Sequence, residues 1–113
     1  MQVSLTGVSL HVKDVQKAKE FYLRIPGASL VHERGDFFAS IRIGGGRVNF
    51  VRVNREEKFH LEFGSDDLDS LRAKLDEAGI QEQGPQPSQW GQTGLITRDP
   101  EGNFIEFDEH LGD

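Results

Sequence analysis

Asp14, Val15, Ala18, Tyr22 and Ile25 recur as Asp67, Leu68, Leu71, Leu75 and Ala78, a constant offset of 53 residues, so one pattern is written twice along the chain. The same offset sets unlike polar residues against each other: Gly7 against His60, Ser9 against Glu62, and His11 against Gly64. The scaffold is duplicated while its chemistry is not. Each half of the 113 residues is too short to bury a comfortable amount of surface alone. One domain over 1–113 is therefore expected, with module one at about 3–55 and module two at about 58–110.

Residues 3–12 alternate as a strand, with Val8, Leu10 and Val12 on one side and Gly7, Ser9 and His11 on the other. Asp14 then reads as the N-cap of a helix carrying Val15, Ala18, Phe21, Tyr22 and Ile25, which Pro26-Gly27 stops. Short strands follow at 29–33, 37–43 and 47–53, the last two joined by Gly44-Gly45-Gly46. The second half repeats this order. A strand at 58–63 precedes a helix capped by Asp66 or Asp67 and ended at Gly79, with Leu68, Leu71, Leu75 and Ala78 along one face. A weak strand precedes the polar loop around residue 88, and two more strands at 93–98 and 103–108 are joined by Asp99-Pro100-Glu101-Gly102.

Each half reads as βαβββ. The helix covers one face of such a small sheet, so the other face needs a partner sheet or a pocket. The expected fold class is α+β, with two tandem βαβββ modules forming a curved mixed sheet around a cavity.

Composition narrows the chemistry. No cysteine is present, which removes disulfides, thiolate nucleophiles and iron–sulfur sites and leaves His, Asp, Glu and backbone oxygen as metal donors. A formal charge of −6 argues against a nucleic-acid partner, although Arg42, Arg47, Arg52 and Arg55 could form a local patch for an anionic small molecule. No stretch is long and apolar enough for a membrane helix, and residues 1–12 lack a basic leader and a cleavable apolar core, so the cytoplasm is the expected location. The glycine run lies between strands rather than ahead of a helix, so it offers no helix-terminal phosphate cradle, and there is no nucleophile-elbow or HExxH motif.

Strand parity puts His60 and Glu62 on one side of their strand, and Phe104, Glu106 and Asp108 on one side of the last. An imidazole and a carboxylate facing one concavity suit Mn, Fe, Co, Ni or Zn; the same pattern also fits an amphipathic surface histidine and a solvated glutamate. His11 either meets substrate as an acid or base near neutral pH or is a half-exposed histidine ahead of the Asp14 cap. Glu62 is a second candidate for proton transfer. Trp90 either stacks on a planar ligand or anchors its loop, and one of Phe37 and Phe38 is expected to point inward as a pocket wall.

VSLHVKDVQKAKEFY, HLEFGSDDLDSLRAKLDEAGI and DPEGNFIEF, in that order, resemble the vicinal oxygen chelate superfamily, the glyoxalase, bleomycin-resistance and extradiol-dioxygenase group. The resemblance implies that His60 and Glu106 are the second module's metal ligands. In the first module the matching positions are Gly7, which has no side chain, and Asn49, or Phe50 if the glycine turn shifts the register; neither carries a carboxylate. The implied function is that of the bleomycin-resistance branch: a cytoplasmic homodimer sequestering a small molecule without a cofactor, with ligand contacts from Phe37, Phe38, Asn49, His60, Glu62, Trp90 and Glu106. The alternative is a lyase, isomerase or dioxygenase that uses Zn, Ni, Mn or Fe on a substrate with vicinal oxygens.

Overall fold

A computed structural model describes residues 1–87 and 93–109. The first half runs β1 (Val3–Val12), α1 (Val15–Tyr22), β2 (Ala28–Arg34), β3 (Phe38–Ile43) and β4 (Gly46–Arg52). The second runs β5 (Phe59–Ser65), α2 (Leu68–Glu77), β6 (Gln83–Pro87), β7 (Thr93–Arg98) and β8 (Phe104–Asp108). The βαβββ order is thus present twice, and the strands make a mixed sheet: β1 with β4 and β5 with β8 are parallel, whereas β2–β3, β3–β4, β6–β7 and β7–β8 are antiparallel.

Two compact units divide the chain: Gly7–His60, and Met1–Thr6 together with the residues from Leu61 on. In the first, Asp14 caps α1 by accepting the Lys17 N–H at 3.0 Å, and Val15, Ala18 and Tyr22 on α1 pack with Leu10, Ala39, Ile41 and Phe50 from the strands. Ile43 pairs with Gly46, so Gly44 and Gly45 make a two-residue hairpin in which Gly44 takes a φ of 60°. In the second, Leu68, Leu71 and Leu75 of α2 meet Leu95, Ile105, Phe107 and Phe63. Burying each such side chain stabilises a unit by about 1.5–3 kcal/mol relative to leaving it in water.

The expectation of a curved sheet around a cavity is corrected by the strand order, β2-β3-β4-β1-β5-β8-β7-β6, which ends at β2 and at β6 instead of returning on itself. Both ends are chemically poor templates for closure. β2 carries His32, Glu33 and Arg34 exposed at its end, and β6 is five residues long with two prolines that bring no N–H to a ladder.

Candidate metal centre

Alternation along β5 turns Phe63 toward the apolar core and His60 and Glu62 to the other face. The parallel register of β5 and β8 sets Glu62 directly beside Glu106 and Gly64 beside Asp108. His60, Glu62 and Glu106 are 6%, 1% and 7% exposed, and one ligand-capable atom from each lies within 4.8 Å of the other two. Two carboxylates opposite each other on neighbouring strands repel, and removal from water sharpens the repulsion. A divalent cation held among them offsets it.

The donor set fits such an ion. Bonds of about 2.0–2.2 Å place ligand atoms roughly 3–4.2 Å apart, so separations of up to 4.8 Å need to contract by at most about 2 Å. One imidazole nitrogen with carboxylate oxygens suits Zn, Ni, Co, Mn or Fe(II).

His11 contributes differently from either expectation. Its Nδ1 lies 2.7 Å from the Glu57 carbonyl oxygen and its Nε2 2.7 Å from Nδ1 of His60, the two rings tilted by 45°. The main chain is tied to the same segment, with the His11 N–H donating to the Lys58 carbonyl at 2.8 Å. Burial pushes the His11 imidazole below its ordinary value. The Glu57 carbonyl pulls the other way, and the charges of His60 and Arg55 add to the lowering.

The Gly7–His60 unit carries a buried polar row of its own. Ser9 pairs with Asn49 across β1–β4, and Asn49 with Ser40 across β4–β3; Asn49 Nδ2 donates to Ser9 Oγ at 3.1 Å. Arg47, 7% exposed, donates from Nε to Ser40 Oγ at 2.7 Å. The Ser9–Asn49 pair has the same register as Glu62–Glu106, which settles the first-half counterpart of Glu106 as Asn49; Phe50 belongs to the apolar core. Arg52 has the opposite strand parity from Arg47, so the four arginines do not make one patch.

Phe38 is buried at 2% exposure, its ring centroid 6.0 Å from that of His32, while Phe37 is 50% exposed. Trp90 lies outside the described residues. Sequence reading places Glu62 among ligand or proton-transfer residues and not among the candidate metal donors, where the structure groups it with His60 and Glu106. The available signal was parity with His60 combined with the cross-strand register to Glu106, which only the pairing of β5 with β8 supplies.

The glyoxalase-like domain family matches residues 7–107. Among solved structures, a hypothetical protein of Bacillus halodurans C-125 superimposes with a TM-score of 0.80 at 17% identity, over 100% of this chain and 98% of that one. Methylmalonyl-CoA epimerase from Mycobacterium tuberculosis gives a TM-score of 0.77 at 19% identity, over 93% and 86%. A glyoxalase/bleomycin resistance protein/dioxygenase superfamily member from Vibrio splendidus 12B01 gives 0.67 at 15%, over 96% and 98%. No curated protein sequence matches. Among the described residues no helix is long and apolar enough to cross a membrane.

Proposed function

The chain belongs to the glyoxalase-like domain family of the vicinal oxygen chelate superfamily, and from that premise we propose that it is a divalent-metal-dependent isomerase or lyase acting on a small molecule with paired oxygens. The observation that carries this reading is the buried His60–Glu62–Glu106 cluster, with its donor atoms within 4.8 Å. A bound divalent ion supplies Lewis-acid polarisation of a substrate oxygen and so acidifies the neighbouring carbon.

The residues divide the remaining work. His60 and Glu106 hold and orient the ion from adjacent regions of β5 and β8. Glu62 has two carboxylate oxygens, one to complete the ligand set and one to take up or return a proton. His11 is removed from that task, because both of its ring nitrogens are engaged by protein partners. One histidine with two carboxylates departs from the two-histidine, one-carboxylate set of non-haem iron oxygenases, which favours proton transfer over oxygen chemistry.

Elemental analysis of protein purified without chelator, followed by calorimetric titration with Ni and Zn, tests the centre. Near one equivalent of ion per chain is expected in the wild type. His60→Ala and Glu106→Gln are each expected to lose more affinity than the about 10–100-fold that follows from removing an outer-shell partner. Activity is read first on methylmalonyl-CoA, the compound in the name of several structural neighbours, as metal-dependent deuterium uptake from D2O. A protein with no bound ion and no response to either substitution overturns the reading.

A second reading, sequestration of a small molecule without a metal, draws on Gly7 and Asn49, which bring neither imidazole nor carboxylate. It predicts ligand binding that is indifferent to chelator.

A further inference from the structure

We propose that His11 is a positioning residue that fixes His60 as the Nδ1–H tautomer, so that His60 presents Nε2 to the ion; this rests on the metal-centre reading above. Hydrogen-bond directions fix where the protons lie. A carbonyl oxygen only accepts, so the 2.7 Å contact between His11 Nδ1 and Glu57 O places a proton on His11 Nδ1. A neutral His11 then carries a lone pair on Nε2. That nitrogen lies 2.7 Å from His60 Nδ1, and two lone pairs do not face each other at that distance, so the intervening proton belongs to His60 Nδ1. The remaining nitrogen of His60, Nε2, is then the basic one. The backbone carbonyl of residue 57 thereby dictates, through two rings, which nitrogen of residue 60 ligates.

The relay is held in place by main-chain structure. The His11 N–H bond to Lys58 O at 2.8 Å and the ring bond to Glu57 O fasten His11 twice to the segment leading into β5. His60 is the second residue of that strand, so ring and ligand move together. Outer-shell partners that orient a ligating histidine typically govern metal affinity by about 10–100-fold. Neither the offset repeat nor the family match assigns His11 this part, since position 64, its counterpart in the other half, is a glycine.

The experiment combines two measurements on the same proteins. Long-range 1H–15N spectra of the metal-free wild type are expected to show His60 protonated at Nδ1 and unprotonated at Nε2. In His11→Phe the tautomer is expected to become mixed or reversed, and Ni and Zn affinities to fall about 10–100-fold. His11→Gln, whose amide oxygen can accept from His60 Nδ1, is expected to restore the tautomer and most of the affinity; it also serves as the folded control should the phenylalanine variant fail to fold. A wild-type His60 protonated at Nε2, or a folded His11→Phe protein, with no acceptor at position 11, that keeps the Nδ1–H form, overturns the assignment. An unchanged metal affinity in folded His11→Phe also overturns it while leaving the metal centre standing. Conversely, a wild type that binds no ion yet holds His60 as Nδ1–H removes the metal centre and leaves the hold of His11 on His60 intact.

Discussion

Glycine at position 7 has a steric cause. A Cβ there would lie 2.6 Å from the Arg47 carbonyl oxygen and 3.2 Å from the Arg47 Cβ, and the first of these is backbone that cannot swing away. Comparing the two halves sets Gly7 where the resemblance implies a ligand, whereas the steric demand for glycine there comes from the close approach of parallel β1 to β4, which no one-dimensional pattern reports. Gly7→Ala is therefore expected to destabilise the protein by about 1–3 kcal/mol through overpacking, read as a lower midpoint in urea. Gly7→His is expected to be worse and to add no metal affinity, because the backbone must shift before an imidazole can enter. An alanine variant with the wild-type midpoint would show that the clash is relieved at no cost. Asn49 makes the complementary point: counting from the glycine turn left it undecided against Phe50, and the observed Ser9–Asn49 register decides it.

At the level of elements, helices and strands were legible because their signals are local. The 3.6-residue spacing of Leu68, Leu71 and Leu75 and the two-residue alternation of β1 and β8 depend only on neighbouring residues. The cap of α2 was legible only to within one residue, since Asp66 and Asp67 are chemically alike. Asp67 takes the role, accepting from the Ser70 N–H at 3.0 Å and its hydroxyl at 2.7 Å, while Asp66 accepts from the Gln2 N–H. Those two Ser70 bonds hold the Asp67 carboxyl below the ordinary 3.8. Because the folded value is the lower one, the cap's stabilisation is fully present above the unfolded value and is lost as pH falls through the folded one. Asp67→Ala is expected to melt lower than wild type at neutral pH, with the gap narrowing in acid, whereas Asp67→Asn keeps most of the cap at all pH values; thermal melts across the acid range check this. Sheet closure was not legible, because it depends on what β2 and β6 pair with. Nor was the burial of Arg47, which depends on Ser40 from another strand.

For the molecule as a whole, an ion among His60, Glu62 and Glu106 would link β5 to β8, whose paired residues Glu62 and Glu106 are 44 positions apart in sequence, and the unfolded chain has no equivalent arrangement. Binding that favours the folded state stabilises it by RT ln(1 + [L]/Kd), about 2.7 kcal/mol at a hundredfold excess over Kd. A domain of this size moves by about 4 °C for each kcal/mol, so a rise in Tm of about 10 °C is expected on adding Zn or Ni, reversed by chelator. The net charge of −6 supplies a competing explanation, since any divalent cation screens self-repulsion in an acidic protein. Magnesium separates the two. It matches Zn and Ni in charge, but it prefers an all-oxygen octahedral shell and gains little from an imidazole, so a built centre raises Tm far more with Zn or Ni than with Mg. Glu106→Gln changes the net charge by only one, and screening predicts that it retains nearly the whole shift. Loss of a ligand predicts that the shift with Zn and Ni collapses to the magnesium value. Equal shifts for all three ions in the wild type, preserved in Glu106→Gln, would reduce the effect to bulk electrostatics and remove the metal centre from the fold's energetics.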